Sequence, residues 1–134
     1  MQIQYASDTG GAYRAGACNI GPQEIARRRQ SGLLAIAFTV VVAVVLLLID
    51  ATPILRAAVF PSLAGGLIAL EQGRRRFCVA YAAAGVRNFG PLGAPQAVAD
   101  AGDRWSDRRA ALWLVAYTSA IALAITVAFV ALPV

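Results

Sequence analysis

GLLAIAFTVVVAVVLLLI, residues 32–49, is the stretch that decides the fold. It holds eighteen residues, no charge and one polar side chain, Thr39. As a helix it is about 27 Å long at about 1.5 Å per residue, close to the thickness of the hydrocarbon layer of a bilayer. The competing reading is a helix buried in a soluble core. The chain has 134 residues, of which 14% are charged, against about 25% in an ordinary soluble domain. So little polar surface cannot wrap such a segment. A hydrophobic content of 59% excludes intrinsic disorder, and the mean hydropathy of +0.64 points the same way. The run is longer than the apolar region of about 7–15 residues in a cleaved signal peptide. No small-residue cleavage pattern follows it closely, so it reads as a signal anchor.

Two further spans lie downstream. Residues 110–133 are uncharged. The hydroxyls of Tyr117, Thr118, Ser119 and Thr126 soften that stretch but can bond locally or across to a neighbouring helix. The middle span is weaker, with fourteen uncharged residues from Ala57 to Leu70, interrupted by Pro61 and the Gly65-Gly66 pair. Its start carries helix signals. Thr52 suits an N-cap and Pro53 the first helical position. Residues 53–72 would give about 30 Å of helix. Arg56, in the first turn, would snorkel to the headgroups, and Pro61 would kink the helix. A re-entrant half-span competes, and the charge distribution decides for a full crossing.

Arginine is the only strong base present: there are twelve Arg, no Lys and no His. Arg27, Arg28 and Arg29 precede span one, Arg74, Arg75 and Arg76 follow span two, and Arg104, Arg108 and Arg109 precede span three. Arg clusters stay on the cytoplasmic side. Three crossings place all three clusters there, with the N-terminus inside and the C-terminus outside. Arg14 and Arg87 fall on the same side, so only Arg56 is outside. The inner face then has eleven positive and six negative residues, net +5, and the outer turn has Arg56 and Asp50, net zero. Two crossings would split the clusters between the faces. The expected fold is therefore all-α: three transmembrane helices (32–49, 53–72, 110–133), a cytoplasmic loop 73–109, and an N-terminal strap 1–31 with a short interfacial helix. Alanine- and arginine-rich usage suggests a GC-rich bacterial genome and hence a bacterial inner membrane.

The nine clustered Arg would attract anionic lipid at the cytoplasmic face, at about 1 kcal/mol each, or acidic patches of a partner subunit. Setting topology alone is the plainer role. Nucleic acid is not an expected partner, because the clusters are short and lack interleaved aromatics for stacking.

The loops carry the most specific sequence. Residues 1–17 read as a mobile tail, or a strap that orders on a partner. Pro22 to Gln30 would form a short interfacial helix feeding span one through Ser31-Gly32, with Glu24 near its positive dipole end. Phe77 to Val86 is too short to span. It would either continue helix two or lie at the interface, with Ala82, Ala83, Ala84 and Gly85 giving a small-residue surface. A further short helix would run from Pro95 to Ala101, ended by Gly102, with Trp105 as an interfacial anchor. The blocks CNIGPQEIARRR and RRRFCVAYAAAGVRNFG resemble recurring blocks of an uncharacterised family of small bacterial multi-pass membrane proteins, over residues 18–90. The resemblance implies a topology and no chemistry.

Cys18 and Cys78 are the only thiols, and the topology puts both at the inner face, where a structural disulfide is disfavoured. They read first as packing residues. A redox thiol pair is the second reading, because nearby Arg can lower a thiol pKa. A soft-metal contact is the third. Two Cys without His cannot close a four-ligand zinc site in one chain. A symmetric dimer could supply four thiolates, though no CxxC spacing supports it. The sequence requires no cofactor. Lack of His removes imidazole catalysis. No nucleophile elbow, phosphate loop or intramembrane acid is present, and Glu71 reads as neutralising the adjacent Arg.

Small residues mark packing faces. Ala116, Ala120, Ala124 and Ala128 share one face of span three, and Gly65, Ala69 and Gly73 share one of span two, with Ser62 and Gly66 beside it. The expected function is a non-enzymatic accessory subunit of a larger inner-membrane complex, with a respiratory or photosynthetic electron-transfer assembly as the first host to test. A thiol-dependent redox or metal-handling protein and a small homo-oligomeric channel or permease are the alternatives.

Overall fold

The structure is a computed structural model and describes residues 13–133. Helix α1 runs without interruption from Pro22 to Leu48. Pro22 opens it with a preset φ, and Glu24 occupies its first turn. The expected separate helix 22–30 and the boundary at residue 31 are not found. Gly32 is no linker. A Cβ there would lie 2.7 Å from Leu70 Cγ and 2.9 Å from the Leu70 backbone nitrogen. The glycine admits a neighbouring helix while α1 continues through it.

The second crossing comprises α2 (Pro53–Arg56), a 3-10 turn (Ala57–Val59) and α3 (Phe60–Arg75). Together they make a helical segment of 23 residues, long enough for a full crossing. The kink expected at Pro61 takes the form of the 3-10 turn just before it. Proline lacks an N–H and its ring crowds the carbonyl four residues back, here that of Ala57. Arg76 then ends α3 in the left-handed region, with φ 58° and ψ 41°.

Arg56 departs from expectation. It is buried rather than snorkelling outward. Its Nε donates to the Ala51 carbonyl at 3.1 Å and its Nη1 to the Leu132 carbonyl at 2.9 Å. Carbonyls just past helix C-termini lack intrahelical partners and carry the negative end of the dipole. One guanidinium thereby ties the ends of two crossings to the start of the second.

The third crossing, α5, spans Ala101–Val130 and starts nine residues before the uncharged stretch. Asp100 caps it, accepting from the Asp103 N–H at 2.9 Å. The short helix expected at 95–101 does not form, and Gly102 lies in the first turn of α5. Instead β2 (Gln96–Ala97) pairs antiparallel with β1 (Val86–Arg87). Before them, α4 (Val79–Ala84) is a separate helix, not a continuation of the second crossing. Gly85 ends it at φ 75°. Of its alanines, Ala82 is fully buried against Phe77, Ala111 and Leu114, while Ala83 and Ala84 face outward.

The three long helical segments run up, down and up. The second packs on the first and the third on the second. Leu63, Ala64 and Ala122 form the middle of the core, with Leu46, Ala51 and Val59 at one end and the Phe77–Ala82 cluster at the other. Hydroxyls on the long apolar helices find local partners. Thr39 Oγ1 donates to Ser62 Oγ at 2.7 Å, joining the first two crossings, and Ser62 donates on to the Val59 carbonyl at 3.3 Å. Thr118 and Thr126 donate to the carbonyls of Leu114 and Ala122. The outer surface is apolar: Leu34 is 65% exposed, Phe38 61% and Leu48 79%. Three helices are thus long and apolar enough to cross a membrane.

Candidate functional site

The folding pattern brings all three Arg clusters to one end of the bundle. Arg29 lies beside Gly73, whose Cβ position is 3.5 Å from the Arg29 backbone nitrogen and 3.5 Å from the Ile25 carbonyl oxygen. The Arg75 guanidinium sits 5.4 Å over the Tyr117 ring. At this end the blocks around residues 18–30 and 74–90 meet and close into a polar clasp.

Asn19 is its hinge pin. Its Nδ2 donates to the Cys78 carbonyl at 3.1 Å, and its Oδ1 accepts from the Cys78 N–H at 2.7 Å. The side chain so imitates a strand neighbour. The Asn19 and Ile20 amides both donate to the Arg76 carbonyl, the Asn88 N–H donates to the Asn19 carbonyl, and the Gly21 N–H donates to the Asn88 carbonyl. A Cβ at Gly21 would fall 2.8 Å from the Phe89 carbonyl oxygen, so only glycine passes here.

Glu24 is the buried charge that this threading encloses, with no exposed surface. It accepts from Arg28 Nη1 at 3.0 Å, from Asn88 Nδ2 at 3.0 Å and from the Tyr81 hydroxyl. That last bond holds the Tyr81 phenol above its ordinary pKa. Arg28 turns its other arm to Cys78, with Nη2 2.9 Å from Sγ, and stacks 5.9 Å over Tyr81. A buried carboxylate needs such company, because an unpaired charge out of water costs several kcal/mol, on the order of 3–5 when one partner is removed.

A second fastening holds the strap. Asp107, fully buried on α5, accepts from the Tyr13 hydroxyl at 2.7 Å and the Gly16 N–H at 2.7 Å. Burial and that carboxylate push the Tyr13 phenol well above its usual range, and Arg87 lies 5.0 Å over its ring. The part of the strap from residue 13 onward therefore orders on its own chain. The rest, including Asp8, lies outside the described residues. Glu71 does what its sequence position implied. It pairs with Arg74 and, at 3.5 Å, with Arg75, and takes a hydrogen bond from Tyr117.

The sequence-derived candidates fare differently. Cys18 and Cys78 are both free and buried. Burial pushes the Cys18 thiol up, outweighing the pull of Arg14 and Arg76. Among the described residues no three His, Cys, Asp or Glu side chains gather as metal ligands. Of the nine clustered Arg, Arg28 enters the clasp, Arg74 and Arg75 pair with Glu71, and Arg104 donates to the carbonyls of Val98 and Ala99 at 2.8 Å each. Arg27, Arg29, Arg76, Arg108 and Arg109 are exposed and make no salt bridge with a described residue.

The small-residue faces are also re-sorted. Of the small residues marked on α3, Gly66 and Gly73 are buried, and Ser62 and Ala69 are half-buried. Gly65 points away, with nothing within 4 Å of its Cβ position. On α5 the buried row is Asp107, Ala111, Leu114, Thr118, Ala122 and Thr126. Ala116, Ala120, Ala124 and Ala128 all face outward.

Sequence reasoning gave no role to Asn19, Asn88, Tyr81, Tyr13 or Asp107. Their one signal was placement: an Asn in each of the blocks CNIG and RNFG, where apolar or turn residues would otherwise suffice. Chemically the clasp is a fastening. Each Glu24 oxygen already holds donors, so the carboxylate has little capacity left for a ligand. Compared with known proteins, the chain matches no family model, no curated protein and no solved structure.

Proposed function

We propose that the chain is a non-enzymatic accessory subunit of a larger bacterial inner-membrane complex. Its Arg-rich end faces the cytoplasm and its C-terminus the opposite side, as the arginine bias requires. The observation that carries this reading is the outward alanine row of α5. The third crossing buries one row in its own bundle and leaves Ala116, Ala120, Ala124 and Ala128 on the opposite side. In lipid, helices associate through close van der Waals approach, and small residues permit it. The flanking Leu112 and Trp113, 72% and 67% exposed, extend the same side toward the Arg-rich end. A helix of a partner subunit fits such a face. The polar clasp supports this role by holding the cytoplasmic loops as one rigid platform. An electron-transfer complex is the first host to test.

The alternatives draw less support. Intramembrane hydroxyls bonded to local partners leave little to line a transport path, and a buried Cys18 with a raised pKa is a poor redox thiol. A tagged chain purified in mild detergent should carry stoichiometric partners. Ala120→Phe with Ala124→Phe should remove most of the bound partner while helix content stays unchanged, and Val41→Phe on the far side should not. Recovery of the unmodified chain as a lone monomer would contradict the proposal.

A further inference from the structure

At the Arg-rich end a cleft of about 530 Å³ opens between α1 and α3. Its apolar wall is Ile20, Ile25 and Ala26, and its basic rim is Arg29, Arg74 and Arg76. The three guanidinium groups come from two different crossings. Arg74 is partly neutralised by Glu71, whereas Arg29 and Arg76 make no salt bridge with a described residue. Arg76 is fixed by its backbone. It is held in the left-handed region, φ 58°, because two amides, those of Asn19 and Ile20, converge on its carbonyl. A residue with a side chain rarely sits there, so the clasp fixes where the Arg76 side chain leaves the backbone, beside the cleft. Gly21 and Pro22, at the start of α1, also border it.

We infer that this cleft binds the phosphodiester of an anionic phospholipid, with Arg29 and Arg76 as the principal ligands. Its depth along the bundle argues for lipid over a soluble anion. Arg29 lies three residues before the apolar run that starts at Gly32, and Arg74 lies four residues after Leu70, where the second uncharged stretch closes. A phosphate there is level with lipid headgroups, and Ile25 and Ala26 offer apolar contact to the glycerol and upper acyl chain. Guanidinium suits the task because its donors match phosphate oxygens in pairs. The inference rests on the membrane insertion proposed above but not on any partner subunit, so it is tested on the isolated chain.

The experiment is native mass spectrometry of the full chain in mild detergent, with phosphatidylglycerol or phosphatidylcholine added. One phosphatidylglycerol should be retained per chain, with about tenfold preference over phosphatidylcholine. Arg29→Gln with Arg76→Gln should lower its affinity about tenfold or more. Arg108→Gln with Arg109→Gln removes the same charge elsewhere and should change affinity less than about twofold. Arg29→Lys with Arg76→Lys, which keeps the charge but loses the paired donors, should bind between the unmodified chain and the Gln pair, and circular dichroism should give all variants the same helix content. Equal losses in the two Gln pairs would mean diffuse surface charge and overturn the site. Undiminished binding in the Arg29/Arg76 pair, or equal retention of both lipids, would overturn it too. Displacement of the lipid by millimolar inorganic phosphate would reassign the cleft to a free anion and overturn the lipid assignment.

Discussion

Glu24→Ala is expected to destabilise the Arg-rich end by about 3 kcal/mol, read as a lowered thermal midpoint and faster proteolysis within residues 73–109. The substitution strips the acceptor from Arg28, Asn88 and Tyr81 at once. Removing one partner of a buried ion pair costs about 3–5 kcal/mol, chiefly through the charge left behind. The low end applies because the Arg28 side chain is 17% exposed and can recover some water. Asn88 Nδ2 also keeps a second acceptor, the Pro91 carbonyl at 2.9 Å. Glu24→Gln preserves one carbonyl acceptor and should cost less. Combining Glu24→Ala with Arg28→Leu should recover part of the loss, because the orphaned charge is gone. A change below about 0.5 kcal/mol for Glu24→Ala, the range of ordinary surface substitutions, would mean that the clasp does not hold the cap together.

Gly32→Val should be as damaging, by a different route. The Cβ of any larger residue would meet both the side chain and the backbone nitrogen of Leu70. The helices must then separate, since a backbone atom cannot rotate aside, and overpacking of this kind costs about 1–3 kcal/mol or more. Gly65→Ala is the matched control. Its Cβ position is open, and alanine improves helix propensity by up to about 1 kcal/mol. Thermal unfolding in detergent should show a sharp fall for the first and no loss for the second. Equal effects would mean that the first and second crossings do not meet at Gly32.

The contrast between those two glycines shows how far the sequence could be read. Composition and run length make the apolar stretch at 32–49 unmistakable, and that property needs no knowledge of neighbours. Charge counting then orders the three crossings. Which glycine lies between helices depends on the rotation of each helix, and Ala and Gly are too frequent here for spacing alone to reveal it. So Gly65 and the alanine row of α5 read the same as Gly66 and Ala122 in sequence, yet the first are exposed and the second buried. Similarly, Ser31-Gly32 has the composition of a hinge, and only the approach of Leu70 explains the glycine inside an unbroken helix. The 95–101 segment reads as a helix because Pro95 suits a helix start, whereas the Val86–Arg87 strand after the left-handed Gly85 captures Gln96 and Ala97. By its charge Arg56 reads as snorkelling to the headgroups, but the Ala51 and Leu132 carbonyls that bind it converge only in three dimensions. The clasp escaped for the same reason. Asn19 with Cys78, and Glu24 with Asn88, stand 59 and 64 residues apart, and no local period records such a pairing.

The central claim is a chain that crosses the membrane three times with its Arg-rich cap in the cytoplasm. The most direct measurement is labelling with a membrane-impermeant maleimide, using single cysteines placed at Gln96 and at Leu132. Both positions are exposed, and the native Cys18 and Cys78 are buried, so background labelling is low. In intact cells stripped of their outer barrier, Leu132→Cys should label at once and Gln96→Cys only after the membrane is permeabilised. Labelling of Gln96→Cys before permeabilisation, with Leu132→Cys protected, would invert the topology and contradict the claim.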